Sequence, residues 1–227
     1  GLAVTLLDFH IGSQITALDP YLDALDRMLD LVKSIQAQGI ALRHLDLGGG
    51  LGIRYTDEQP PSAEMLVRAL LARIDARGHG QRRIALEPGR SLVGNAGVLV
   101  SEVLFLKPSA ERNFCIVDAA MNDLVRPAMY EAWMAIVATT LRDAPARIWD
   151  VVGPVCESGD WLGRDRPLAV EPGDFVAVLS AGAYAMSMAS NYNSRGRAAE
   201  VMVSQGDARL IRDRERPADL FRGENLL

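Results

Sequence analysis

Three short apolar runs, 4–10, 45–48 and 83–87, each lead into polar or glycine-rich residues, and amphipathic stretches separate them. That alternation is the pattern of βα units repeated around a parallel sheet. Tyr21, Leu22, Leu25, Met28, Leu29, Val32 and Ile35 recur at helical spacing with Gly39 as the stop, and a second helix fits 63–77. In an α/β sheet, ligands bind at the carboxyl ends of the strands. Three such strands close into nothing, because a barrel needs about eight and an open edge exposes unpaired backbone. The chain begins without Met and enters an apolar run at once, so it is expected to be a fragment of something longer.

After Gly94 the texture changes. Runs at 97–106, 114–118, 147–152 and 174–179 are rich in β-formers with glycine and proline between them, which predicts a second, mostly antiparallel domain. The expected organisation is α/β plus all-β, with an α/β part over 1–93 and a β part over 94–227. With 49% hydrophobic and 23% charged residues, the composition is that of a soluble globular protein. No run approaches the roughly 20 apolar residues of a membrane-spanning helix. A formal net charge of -5 offers no basic field for a phosphate backbone, so nucleic acid is not an expected partner. Two cysteines, Cys115 and Cys156, are too few for a disulfide framework, and a reducing cytoplasm is the expected compartment.

Leu47-Gly48-Gly49-Gly50-Leu51-Gly52 follows a strand. Successive glycines let backbone N–H groups converge on a phosphate, and a tight βα turn would use the same residues. His10-Ile11-Gly12-Ser13 ends another strand with a flat ring and a hydroxyl, although a lone histidine is more often structural. Glu87-Pro88-Gly89-Arg90 closes the third with a carboxylate suited to a heteroaromatic nitrogen and an arginine suited to an anion; a surface ion pair is the plainer reading. Arg126-Pro127 with Tyr130 sets a guanidinium and a phenol four residues apart, as a helix surface also would. Cys156 stands beside Glu157 in the turn-rich run Gly153 to Asp160, whereas Cys115 lies in an apolar run and reads as core. Tyr184 follows a strand within Gly182-Ala183-Tyr184-Ala185, where core packing explains it equally well.

Taken together and in this order, these motifs resemble diaminopimelate decarboxylase over nearly the whole chain. The resemblance implies the carboxyl-terminal part of a pyridoxal-phosphate-binding (β/α)8 barrel of the alanine racemase-like fold, followed by an antiparallel β-barrel or sandwich domain. It implies a homodimer with shared active sites, converting meso-2,6-diaminopimelate to L-lysine and CO2, the last step of lysine biosynthesis, with no metal. Carried over by motif, Ser13, Gly48, Gly49, Gly50, Gly89 and Arg90 would surround the cofactor phosphate, and Pro88 would be a further cofactor-binding residue. His10 would stack on the pyridine ring and Glu87 would pair with its nitrogen. Arg90, Arg126, Tyr130 and Glu157 would contact substrate, and Tyr184 both substrate and cofactor. Cys156 would give a proton to the carbon that loses CO2.

One departure from the family is plain. The Schiff-base lysine of the family lies on an early barrel strand, and the only lysines here are Lys33, on an expected helix, and Lys107, before Pro108. The chain is therefore expected to be the carboxyl-terminal half or more of the enzyme, inactive alone. Three other readings stay open: a non-catalytic regulatory homologue, a related basic amino-acid decarboxylase, and an unrelated enzyme on a phosphate-binding barrel.

Overall fold

A computed structural model describes residues 4–225. They form two compact units, one ending at Ala96 and the other beginning at Gly97.

The first unit runs β1 (Leu6–Asp8), α1 (Asp19–Ala37), β2 (His44–Asp46), α2 (Ala63–Ala76), β3 (Arg83–Ala85) and α3 (Arg90–Val93). The three strands form one parallel sheet with β2 in the middle, and Leu7, Leu45 and Ile84 lie in register across it. Each strand is shorter than its apolar run. Beyond Asp46 the Leu47 amide still donates to the Ala85 carbonyl at 3.0 Å, and the backbone then turns at Gly48, whose φ is +65°.

α1 begins with Asp19 and Pro20 in its first turn and stops at Gln38, before Gly39 at φ +84°. Its Tyr21, Leu25, Met28, Leu29 and Val32 are buried with Leu45 of β2, Leu47 just beyond that strand, and Leu66, Leu70 and Ile74 of α2. Asp26 of α1 meets both Arg73 and Arg77 of α2, the latter at 2.8 Å. Ser62 caps α2 by accepting from the Met65 amide at 3.1 Å. Replacing Ser62 with alanine orphans that amide and is expected to cost about 1 kcal/mol. A denaturant titration reads the loss, and an unchanged midpoint would show that the cap contributes nothing.

The second unit holds β4 (Leu99–Lys107), β5 (Phe114–Val117), α4 (Arg126–Tyr130), β6 (Ile136–Ala138), β7 (Arg147–Val152), β8 (Trp161–Leu168) and β9 (Phe175–Val178). Then come β10 (Glu200–Ser204), β11 (Asp207–Arg212) and α5 (Pro217–Leu220). Six strands form a sheet in the order β6-β9-β4-β5-β7-β8. Gly163 of the edge strand β8 lies against Ile136 of the opposite edge strand β6, so the sheet nearly closes on itself. Val103, Cys115, Val117, Trp149, Val151, Leu162, Val176 and Val178 are buried.

Two features of this unit depart from the expectation. The sheet is mixed, because β5 and β7 pair in parallel across a connection that carries α4 and β6. Four strands, β6, β8, β10 and β11, also lie where no strand was expected. β8 contains three charges, Gly163 and Pro167, a composition that an edge strand tolerates because one side of its ladder is unpaired. β10 and β11 form a two-stranded hairpin through Gln205 and Gly206, both at positive φ, as a tight turn of this hand requires.

Candidate active site

The carboxyl ends of β1, β2 and β3 bring together most of the motifs of the first unit. A Cβ on Gly48 would overlap the carbonyl oxygen of Phe9, and one on Gly49 that of Glu87. One on Gly50, at φ +91°, would overlap the carbonyl oxygen of Gly12. The glycine run is therefore the point where three strand ends close on one another, and each glycine removes the atom that would hold them apart.

Other contacts hold the loop in place. Asp46 Oδ1 accepts from the Gly48 amide at 3.0 Å, and Glu87 donates its amide to the Gly48 carbonyl at 2.8 Å. Tyr21 of α1 donates its hydroxyl to the Gly49 carbonyl at 3.3 Å; burial pushes that phenol up to about 12. The Gly52 amide is taken by the Ile15 carbonyl at 3.0 Å. The amides of Gly49 and Gly50 make no hydrogen bond among the described residues. Two adjacent, half-buried donors thus remain for an anion.

Arg90 is buried at the start of α3, and its guanidinium donates to the Ser13 hydroxyl at 2.9 Å and to the Tyr55 hydroxyl. Ser13 accepts that bond with its oxygen, which leaves its own O–H to donate. His10 is exposed next to Phe9, and its Cα lies 3.5 Å from the Gly48 Cβ position. Pro88 and Gly89 follow Glu87 on the exposed side, and a Cβ on Gly89 would meet nothing within 4 Å. The carboxylates of Asp8, Asp46 and Glu87, one from each strand end, lie within 4.8 Å of one another. Such a trio favours a cationic group beside it. The sequence reading singled out Glu87 but missed Asp8, Asp46 and Tyr55, which carry no motif of their own.

The second unit holds the remaining residues. Cys156 and Glu157 are exposed on the loop between β7 and β8. Asp160, 4% exposed, anchors that loop: Oδ1 accepts from the Met121 amide at 2.7 Å and Oδ2 from the Val155 amide at 3.0 Å. Glu157 Oε1 accepts from the Gly159 amide at 3.0 Å and Oε2 from the Tyr192 hydroxyl at 3.1 Å. The Gly159 amide and then the Tyr192 hydroxyl hold the Glu157 carboxyl below its usual range, and the same bond pushes the Tyr192 phenol up. Cys115 is buried as expected, and burial pushes its thiol up to about 11.

Tyr192 also lines a cavity of about 250 Å³ with Met121, Asn122, Val125 and Ser190. Val125 immediately precedes Arg126, the buried first residue of α4, and Tyr130 is exposed at the end of the same helix. Asn122 is held by Arg195, whose Nε donates to its Oδ1 at 2.9 Å. Tyr184 stands on a separate turn at φ +59°, 41% exposed. Tyr192, Asn122 and Asp160 were not expected among the organising residues, because each reaches a partner distant in sequence.

A family model described as "Pyridoxal-dependent decarboxylase, C-terminal sheet domain" matches residues 9–182. Over 226 residues the chain is 54% identical to a diaminopimelate decarboxylase of Pseudomonas aeruginosa, covering 100% of this chain and 54% of that protein. It is 51% identical over 221 residues to one from Vibrio cholerae, covering 97% of this chain and 52% of the relative. A crystal structure of diaminopimelate decarboxylase from Helicobacter pylori complexed with L-lysine matches at 40% identity and a TM-score of 0.89, covering 97% of this chain and 54% of that one. The chain spans about half the length of the curated relatives it matches. The matched stretch takes in the strand-end cluster of the first unit apart from Asp8, and the Cys156-Glu157 loop of the second, and from it we conclude that the chain belongs to the pyridoxal-dependent decarboxylase family.

Proposed function

We propose that the chain serves a diaminopimelate decarboxylase, forming L-lysine and CO2 from meso-2,6-diaminopimelate. In this reading the first unit is part of a (β/α)8 barrel that holds the cofactor, and the second carries substrate and interface residues. The observation that carries it is the convergence of His10, Ser13, Gly48 to Gly50, Glu87 and Arg90 at three adjacent strand ends. Bound pyridoxal 5'-phosphate supplies an electron sink for the pair left behind as CO2 departs.

The residues around it have distinct tasks. The Gly49 and Gly50 amides, the Ser13 hydroxyl and Arg90 suit a phosphate, with Pro88 and Gly89 beside it. Glu87, reinforced by Asp8 and Asp46, favours a protonated ring nitrogen. His10 offers its ring for stacking. Arg90 and Arg126 suit the carboxylates of the substrate, with Tyr130 and Tyr184 nearby in role, and Glu157 suits an ammonium. Cys156 returns a proton to the substrate carbon. Its exposure on a loop suits a residue acting across the boundary of a homodimer. No helix among the described residues is long and apolar enough to cross a membrane, and a cytoplasmic site of action belongs to the same proposal.

Neither lysine matches the Schiff-base lysine that the family carries on an early barrel strand: Lys33 is exposed on α1, and Lys107 is exposed at the end of β4 in the second unit. The 227 residues alone are therefore expected to release no lysine from meso-diaminopimelate. Joined to the part of the P. aeruginosa relative that it does not match, the chain is expected to bind pyridoxal phosphate and release lysine. Turnover by the chain alone would remove the dependence on an outside lysine. A cofactor-loaded fusion that leaves meso-diaminopimelate untouched would refute the proposed function.

A further inference from the structure

We infer that Tyr192 is a specificity-determining positioning residue, whose hydroxyl fixes the Glu157 carboxylate in the orientation that receives the substrate's ammonium group. The inference rests on the decarboxylase reading and deepens it by adding a residue outside the motifs that led to it.

A glutamate side chain on an exposed loop ordinarily samples several rotamers, and ordering it on ligand binding costs affinity. Glu157 is ordered in advance. Its two oxygens are each held by one donor, the Gly159 amide at 3.0 Å and the Tyr192 hydroxyl at 3.1 Å. A carboxylate has about four lone-pair sites, so about two remain for an ammonium ion. The Gly159 bond is local and would follow the loop wherever it moved. Tyr192 lies 35 residues away in sequence, so its bond alone ties the carboxylate to another part of the unit.

That other part is itself braced. The Ser190 amide donates to the Asn122 carbonyl at 2.9 Å, and Asn122 Nδ2 donates back to the Ser190 carbonyl at 3.3 Å. Arg195 clamps the same segment, donating to Asn122 Oδ1 at 2.9 Å and to the Asp118 carbonyl at 2.6 Å. Tyr192 thus links a rigid turn to the Glu157 carboxylate. It also forms one wall of the cavity that Val125 lines just before Arg126. The tyrosine stands between a group suited to an ammonium and the helix that begins with a group suited to a carboxylate. Those are the two charges at each end of diaminopimelate.

The test uses the cofactor-loaded fusion described above. Tyr192→Phe removes only the hydroxyl, and at 47% exposure the ring is not a core element whose loss would unfold the unit. Losing one hydrogen bond to a charged group is expected to raise KM for meso-diaminopimelate about tenfold, with kcat within about twofold. Affinity for L-lysine, measured by calorimetry, is expected to fall by a similar factor. In a Glu157→Gln background the same substitution is expected to add almost nothing, because its effect runs through the carboxylate. Unchanged KM and lysine affinity, a fall in kcat alone, or full additivity with Glu157→Gln would each overturn the inference while leaving the decarboxylase reading intact. A parent fusion that binds cofactor but does not turn over meso-diaminopimelate would overturn both.

Discussion

Replacing Cys156 with alanine in the reconstituted enzyme is expected to lower kcat by about 10²–10⁴-fold, the range for removing a positioned proton donor. The visible spectrum of the bound cofactor is expected to stay as it was, because the part proposed for Cys156 is to return a proton to substrate and not to hold the cofactor. The loop survives the change: its shape depends on the buried Asp160 carboxylate, which accepts the Met121 and Val155 amides, and on the Gly153 amide donating to the Asp160 carbonyl at 3.0 Å. Removing an exposed thiol disturbs none of these bonds. Cys115 supplies the control. It is fully buried with its thiol pushed up to about 11, so of this chain's two cysteines a thiol reagent at neutral pH is expected to modify Cys156 alone. Turnover is expected to fall on treatment, while a Cys156→Ala variant treated with the same reagent keeps its own baseline. Retention of kcat within threefold in the alanine variant would remove Cys156 from the chemistry.

Gly49→Ala is expected to destabilise the first unit by about 1–3 kcal/mol and to weaken binding of pyridoxal phosphate by at least tenfold. The new Cβ falls on the carbonyl oxygen of Glu87, a backbone atom that cannot swing aside as a side-chain tip can. Relief requires the ends of β2 and β3 to separate. That motion strains the Glu87 amide bond to the Gly48 carbonyl and carries the Glu87 carboxylate away from Asp8 and Asp46. Gly89→Ala is the matched control, since its Cβ meets nothing within 4 Å and its φ is −109°. It is expected to change stability by no more than about 0.5 kcal/mol. Thermal melts of the two variants separate the cases, Gly89→Ala being a control for stability alone because Gly89 is itself placed beside the phosphate; a cofactor titration of Gly49→Ala reads the loss of affinity. Equal behaviour would show that the close approach at Gly49 carries no constraint.

Much of the first unit was legible because its signals are local. The helical recurrence from Tyr21 to Ile35 and the stop at Gly39 appear in the structure as α1, with the recurring residues buried or half-buried. The 63–77 stretch folds as α2 to within one residue. The strands were located but drawn too long, because an apolar run does not reveal where the backbone leaves the ladder. In the second unit, β8 escaped notice because an edge strand needs neither alternation nor freedom from proline. The hairpin of β10 and β11 escaped because exposed strands carry no burial pattern to read.

The candidate site divides along the same line. Glycine runs, an arginine after Glu-Pro-Gly and a cysteine beside a glutamate can be read from neighbouring residues, since the chemistry of each side chain travels with its sequence. The reason for the glycines could not. A phosphate loop and a tight turn call for the same residues, and only the folded chain shows three carbonyl oxygens from other strand ends filling the space of their missing Cβ atoms. Arg90 meets Ser13 across 77 residues, and Tyr192 meets Glu157 across 35. Such pairings are set by how strands lie beside one another, and no local periodicity encodes them. The amino-acid order of this protein thus settles which elements form and which chemical groups they carry. The packing of strand ends and loops alone decides which of those groups meet, because a contact between distant residues exists only once the sheet has brought their backbones together.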